Sequence, residues 1–126
     1  MNYRTPLTEA RGLGSAKSGT MHWWMQRVTA VALVPLSYWL IKLLDLSATA
    51  SYEQAQSWLS KPLNTVGVLA LIVVVFYHAG LGLRVVIEDY IGREGYKIVL
   101  IWLFNAGFIL LTITAVLAVF RTLQVG

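Results

Sequence analysis

Residues 62–83 read PLNTVGVLALIVVVFYHAGLGL, and none of these 22 residues is Asp, Glu, Lys or Arg. A second uncharged stretch of 23 residues runs from 98 to 120. With a rise of about 1.5 Å per residue, a helix over either stretch is about 33 or 34 Å long. The apolar core of a bilayer is about 30 Å thick. Each stretch therefore predicts a helix that crosses a membrane.

A third apolar stretch lies nearer the N-terminus and is shorter. Residues 28–41 are 14 uncharged residues with a basic residue at each end. Long basic side chains reach the membrane surface from inside a helix end. Trp23 and Trp24 just precede the stretch, and tryptophan is enriched at membrane interfaces. We therefore predict a span over about 23–44, kinked near Pro35.

The composition supports a membrane protein. Hydrophobic residues make up 57% of the 126 residues and charged residues 13%, whereas soluble domains carry about 25% charged residues. The absence of cysteine excludes disulfides and thiolate-held iron–sulfur clusters in this chain. The basic residues are scattered, which argues against nucleic-acid binding. The predicted fold class is all-α: an arm over 1–22, then a membrane anchor over 23–126 of three antiparallel transmembrane helices with spans at about 23–44, 63–87 and 98–120.

The segments outside the spans carry local signals. The arm over 1–22 is polar, with Gly and Pro, and is expected to be irregular or loosely helical. In the loop over 45–61, Ser51 and Gln54 fit a capping box, which predicts a short interfacial helix. The loop over 88–97 is short, so the second and third spans should be antiparallel neighbours.

The basic residues predict the orientation. Seven of them fall on the side that holds the N-terminal arm and the 88–97 loop, and three fall on the other side. The positive-inside rule therefore places the N-terminal arm in the cytoplasm, or in the matrix of a mitochondrion. The start of the sequence shows no long Arg- and Ser-rich presequence, which favours a bacterial inner membrane over a mitochondrial one.

His78 is the main candidate for chemistry. It lies six residues before Arg84, about 9 Å deeper along the helix, and ionisable groups within spans are functional candidates. It is either a packing residue bonded to a neighbouring helix or an axial ligand of haem, for which neutral imidazole is suited. Gly82, one turn on, leaves room for a flat macrocycle or a close helix. His22 precedes the first span, so a second haem ligand would have to come from another chain.

Three further residues at the cytoplasmic ends of the spans have both a structural and a functional interpretation. Arg27 and Arg84 are either interfacial anchors or cations for a haem propionate. Tyr90 belongs either to the aromatic belt or to a quinone site, where its phenol would donate to a quinone carbonyl.

Asp89 beside Tyr90 is suited to orient the quinone site around Tyr90 or to form part of a proton path. In the third span, Asn105 and Thr112 are predicted to form hydrogen bonds across helices.

Two segments resemble a known family. Residues 78–92, HAGLGLRVVIEDYIG, are similar to the pattern of a histidine, a glycine four residues later and a closing Asp-Tyr pair. That pattern marks the small, D-type hydrophobic membrane-anchor subunit of succinate dehydrogenase, respiratory complex II. The segment RVTAVAL from Arg27 resembles the R-x-T-A motif of the same family, and GLGSAKSGTMHWWMQR resembles the arm of its α-proteobacterial branch. The resemblance covers the chain from about Gly12 to Phe120.

The resemblance implies specific roles. His78 would be an axial ligand of haem b, shared with a histidine of a C-type membrane anchor subunit. Tyr90 would bind ubiquinone, with Asp89 nearby, and Arg27 would lie near the haem propionates or the quinone pocket. A flavoprotein subunit would oxidise succinate, and an iron–sulfur subunit would pass the electrons to the quinone. This chain would belong to the enzyme without catalysing a reaction alone.

Three other interpretations stay open. A fumarate reductase anchor would run the same chemistry in reverse. In a structural membrane subunit without haem, His78 would only pack. In a transporter subunit, His78 would relay protons; against this, the spans hold no acid to pair with it and no inverted repeat.

Overall fold

A computed structural model describes residues 16–124, with side chains from residue 19 onward. The described chain forms four helices: α1 (Ala16–Thr49), α2 (Tyr52–Leu59), α3 (Pro62–Tyr90) and α4 (Glu94–Gln124). Three of them, α1, α3 and α4, are long and apolar enough to cross a membrane. The predicted all-α fold with three transmembrane helices is therefore confirmed.

The helices extend past the predicted spans. The last seven residues of the predicted arm, 16–22, already belong to α1, while residues 1–15 lie outside the described part of the chain. Pro35 sits inside α1 and does not end it, and the kink there stays a prediction.

The connection between α3 and α4 is shorter than predicted. It consists of residues 91–93, not of the ten residues from 88 to 97. Asp89 and Tyr90 therefore form the last turn of α3. The sequence predicts that the charged residues of this segment lie in the loop. Glu94 instead lies in the first turn of α4, where an acidic side chain interacts favourably with the helix dipole. Three residues leave room only for a tight reversal, so α3 and α4 are antiparallel neighbours, as predicted.

The predicted short helix between the first two spans is present as α2. Its capping box is complete: the Ser51 hydroxyl accepts from the Gln54 backbone N–H at 3.2 Å, and the Gln54 side-chain oxygen accepts from the Ser51 N–H at 2.9 Å. Pro62 then starts α3 at a position where its missing N–H costs nothing. The chain thus reverses direction through α2 before it enters α3.

The helix α3 lies between the two other long helices. It packs against α1 and against α4, whereas no Cα atom of α1 lies within 8 Å of a Cα atom of α4 in residues 16–124. Few side chains are consequently buried within the chain. The buried hydrophobic residues of the described part are Leu59, Val68, Leu71, Leu81, Ile87 and Val119.

The end of the molecule next to α2 is tied together by Trp39 of α1. Its ring lies directly on the backbone of Gly67 in α3, where a Cβ atom would overlap the ring. The Trp39 Nε1–H donates to the Asn64 side-chain oxygen at 3.3 Å, and the Asn64 amide donates to the Trp58 carbonyl at 2.9 Å. Small residues that admit close approach are the usual basis of helix packing in membranes. Gly67 is therefore the position that sets the distance between α1 and α3.

We expect Gly67→Ala to lower the thermal stability of the membrane complex that contains this chain. Overpacking of this kind costs about 1–3 kcal/mol, more than the gain of up to about 1 kcal/mol that alanine brings to a helix. The measurement is the midpoint of thermal unfolding in detergent. Gly95→Ala is the control, because nothing lies within 4 Å of a Cβ there. Equal midpoints for both variants would contradict the contact between Trp39 and Gly67.

Candidate functional site

The side chain of His78 meets α1 through one hydrogen bond. Its ring atom Nδ1 lies 2.8 Å from the Thr29 hydroxyl oxygen. Thr29 is 6% exposed and is the only buried polar or charged residue in the described part of the chain. The most buried polar side chain and the deep histidine therefore contact each other across the interface of α1 and α3.

The Thr29 hydroxyl has further partners within α1. Its oxygen lies 2.7 Å from the Met25 carbonyl and 3.1 Å from the Gln26 carbonyl. Bonds from a threonine hydroxyl back to the preceding turn are common in helices. Here the same oxygen bridges its own helix and the histidine of α3.

The His78 ring keeps one nitrogen available. Within residues 19–124, the bond to Thr29 is the one hydrogen bond of the ring, so Nε2 has no protein partner there. The described residues contain no group of three His, Asp or Glu side chains that could hold a metal ion. The predicted packing bond is thus present, yet it occupies only Nδ1 and leaves Nε2 free to act as a single ligand.

Gly82, one turn from His78, does not mediate a close helix contact within the chain. A Cβ there would meet the Gln26 side-chain nitrogen at 3.6 Å, an ordinary contact. The close helix approach is made by Gly67 instead. The room predicted at Gly82 for a flat macrocycle stays a prediction.

The second histidine is not part of the His78 site. His22 of α1 lines a groove of about 590 Å³ whose other lining residues belong to α3 and α4, among them Arg84, Asn105 and the rings of Phe76 and Phe108; His78 does not line it. The Arg84 Nε–H donates to the Glu88 carboxylate at 3.0 Å in a half-exposed pair. That a second haem ligand would come from another chain stays a prediction.

Arg27 does not face His78. It lies two residues before Thr29, about 200° around α1 by helix geometry. Its guanidinium group stands over the Trp23 ring, 5.3 Å from the centroid. The geometry within this chain favours an interfacial anchor, with the charge held beside an aromatic ring.

Tyr90 and Asp89 are both exposed at the end of α3, and Tyr90 is 82% exposed. Twelve residues separate Tyr90 from His78, which is about 18 Å along the helix and about 120° around it. The chain therefore presents Tyr90 at its surface but does not direct it towards His78.

Sequence reasoning missed Thr29 as a site residue. A threonine in an apolar helix is an ordinary residue, and only its place in the R-x-T-A segment next to Arg27 pointed to it. The hydrogen bond predicted for Thr112 across helices is wrong, because its hydroxyl donates to the Phe108 carbonyl of its own helix at 2.7 Å. Asn105 lines the groove, and its bond across helices stays a prediction.

Comparison with known proteins gives consistent results. The family model described as "Succinate dehydrogenase/Fumarate reductase transmembrane subunit" matches residues 1–120. The succinate dehydrogenase hydrophobic membrane anchor subunit of Rickettsia conorii is 38% identical over 120 residues, which cover 94% of this chain and 95% of the relative. The subunit of the same name from Paracoccus denitrificans is 34% identical over 90 residues, 71% of this chain and 70% of the relative.

The membrane anchor subunit of Reclinomonas americana succinate dehydrogenase is 34% identical over 92 residues, covering 69% of this chain and 75% of the relative. No solved structure matches the chain with significance. The family-model match over residues 1–120 includes α1 and α3 and most of α4. The chain therefore belongs to the succinate dehydrogenase and fumarate reductase transmembrane subunits, as a D-type hydrophobic membrane anchor subunit of succinate dehydrogenase.

Proposed function

We propose that this chain anchors a succinate:ubiquinone oxidoreductase to the membrane, holds haem b through His78 and contributes to a ubiquinone site at the end of α3. The observation that carries the proposal is the position and hydrogen bonding of His78. It is the one histidine deep in an apolar span, and its Nε2 has no partner within residues 19–124. Haem b, when bound, supplies a carrier for single electrons.

The donor set fits a haem shared with a second membrane subunit. Imidazole nitrogen is an ordinary axial ligand of haem iron, and the chain offers one such nitrogen at membrane depth. Because the backbones of α1 and α4 stay apart in the described part of the chain, and few side chains are buried there, the anchor has broad apolar faces for a partner. A C-type anchor subunit packed on such a face would supply the second histidine.

The end of α3 supports the quinone part of the proposal. The Tyr90 phenol is exposed and can donate a hydrogen bond to a quinone carbonyl, with the Asp89 carboxylate next to it. Arg27 adds a cation for a haem propionate or the quinone pocket. Its exposed contact with Trp23 is of a kind worth about 0.5–1 kcal/mol, so the guanidinium can leave the ring for an anionic partner.

The remaining steps belong to other subunits. The relatives are named membrane anchor subunits of succinate dehydrogenase, which supports attachment of soluble subunits to this chain. A flavoprotein subunit would oxidise succinate, and an iron–sulfur subunit would carry the electrons to the membrane. The side with seven of the ten basic residues would face the cytoplasm and those subunits.

We expect His78→Ala to remove or shift the b-type haem signal of the complex purified through this chain. The substitution deletes the ligand nitrogen and leaves the rest of α3 intact. The measurement is a reduced-minus-oxidised optical spectrum. His22→Ala is the control and should retain the signal, because His22 of α1 lines a groove that His78 does not line. A spectrum that is the same with and without His78 would contradict the ligand assignment.

We expect Tyr90→Phe to lower kcat/KM for ubiquinone about 2- to 10-fold, which corresponds to the loss of one hydrogen bond of about 0.5–1.5 kcal/mol. Haem content should stay the same. The measurement is succinate-driven quinone reduction at varied quinone concentration. Tyr96→Phe is the matched control, since Tyr96 is also exposed and only six residues away. Equal effects of the two variants would rule out a specific role for Tyr90.

The orientation can be tested by labelling, because the chain has no cysteine of its own. Gly92→Cys marks the connection between α3 and α4, and Ser57→Cys marks α2; both positions are exposed. In a bacterial inner membrane, a membrane-impermeant maleimide added outside spheroplasts should react at residue 57 and leave residue 92 unlabelled. The opposite pattern would reverse the proposed topology.

A further inference from the structure

We infer that Thr29 sets the tautomer of His78: its hydroxyl oxygen accepts the proton of Nδ1 and thereby leaves the lone pair of Nε2 free for the iron. Thr29 is thus a positioning residue that acts through His78. The inference rests on the proposed function, since it concerns the nitrogen offered to haem, but its geometric basis lies within this chain.

The Thr29 hydroxyl has a single proton to donate. The hydroxyl oxygen is 2.7 Å from the Met25 carbonyl oxygen, the usual distance of an O–H···O hydrogen bond. Two oxygen atoms this close repel each other unless a proton lies between them. A carbonyl has no proton to give, so the Thr29 proton must point to Met25.

The contact with His78 then has only one possible direction. With its proton committed to Met25, the Thr29 oxygen has only lone pairs left for the ring. An unprotonated Nδ1 at 2.8 Å would place two lone pairs against each other. Nδ1 must therefore carry a proton and donate it to Thr29. In a neutral imidazole, the proton on Nδ1 means that Nε2 has none.

Burial strengthens the preference for a proton on Nδ1. Thr29 is 6% exposed, and water that might offer Nδ1 another partner has little access to the interface of α1 and α3. A buried polar group left without a partner costs about 1–3 kcal/mol. Rotation of the ring to present the other nitrogen would break the bond to Thr29, which is the one hydrogen bond of the ring within residues 19–124.

The tautomer matters for ligation in two ways. A protonated Nε2 cannot bind a metal, so the wrong tautomer would have to be corrected before a ligand bond forms. A hydrogen bond from the Nδ1–H, the ring nitrogen that does not bind the metal, also orients the imidazole ring and makes Nε2 a stronger donor to the metal. Loss of such a partner typically lowers metal affinity about 10- to 100-fold.

The first test compares three variants in the assembled complex. Thr29→Val keeps the shape of the side chain and removes the acceptor oxygen, whereas Thr29→Ser keeps the acceptor oxygen. Thr114→Val is the matched control, since its hydroxyl makes the same 2.7 Å bond to a carbonyl four residues back and contacts no histidine. We expect Thr29→Val to lose haem about 10- to 100-fold more readily and the haem it retains to have a raised reduction potential. Thr29→Ser and Thr114→Val should behave like the unsubstituted complex.

The second test reads the tautomer without haem. The full chain contains two histidines, so ¹⁵N-histidine labelling in lipid bilayers gives two sets of ring signals, and a His22→Gln background isolates His78. A nitrogen with a proton and one with a lone pair have well-separated ¹⁵N shifts. We expect His78 to be protonated at Nδ1, and to lose this preference in Thr29→Val and keep it in Thr29→Ser.

The two tests separate failure of the inference from failure of the proposed function. A proton on Nε2 of the unsubstituted chain, or an unchanged tautomer in Thr29→Val, would overturn the role of Thr29 whether or not haem binds. Absence of haem from the unsubstituted complex would overturn the proposed function, and the ¹⁵N spectrum would still decide the tautomer. Equal haem loss and equal potential shifts in Thr29→Val and Thr114→Val would also overturn the inference.

Discussion

The packing of α3 between α1 and α4 is the constraint on which the rest of this structure depends. Because the backbones of the outer helices stay more than 8 Å apart between Cα atoms within residues 16–124, α3 and α2 form the main connection between them. The arrangement gives α3 two different interfaces. One faces α1 and contains the Trp39 contact at one end and the Thr29 contact further along. The other faces α4 and borders the groove that Arg84 of α3 and His22 of α1 line.

The interface of α1 and α3 combines packing with polar specificity. In a membrane, apolar side chains gain little by leaving lipid for protein, so close packing and hydrogen bonds determine which helices associate. Gly67 allows close approach at the end near α2, and the bond between Thr29 and His78 fixes the register nearer the other end. A polar bond of this kind averages only about 0.6 kcal/mol in membranes, so its value here is geometric: it orients one imidazole ring.

Much of the fold follows from the sequence because a helix that crosses a bilayer needs a long stretch of residues without charges. The uncharged stretches over 62–83 and 98–120 predicted α3 and α4, and the pair Ser51 and Gln54 predicted α2. The helix ends were not predictable in the same way. Helices continue past the apolar segment into polar sequence, so α3 includes Asp89 and Tyr90 and α1 begins before His22.

The site was predictable only in part. His78 was identified because an imidazole at membrane depth is costly without a purpose. Its partner was not identified, since the sequence does not show which residues of α1 face α3, and threonine hydroxyls also bond within their own helix. Thr112 illustrates this second point: it was expected to bond across helices and instead satisfies its hydroxyl within α4.

The most direct test is an experimental structure of the membrane complex purified through this chain, at a resolution that shows ring orientation. The account predicts a haem whose iron is bonded to Nε2 of His78, with Nδ1 of the same ring at hydrogen-bonding distance from the Thr29 hydroxyl. An iron bonded through Nδ1, or a His78 ring with both nitrogens bonded to protein and no haem beside it, would contradict the account.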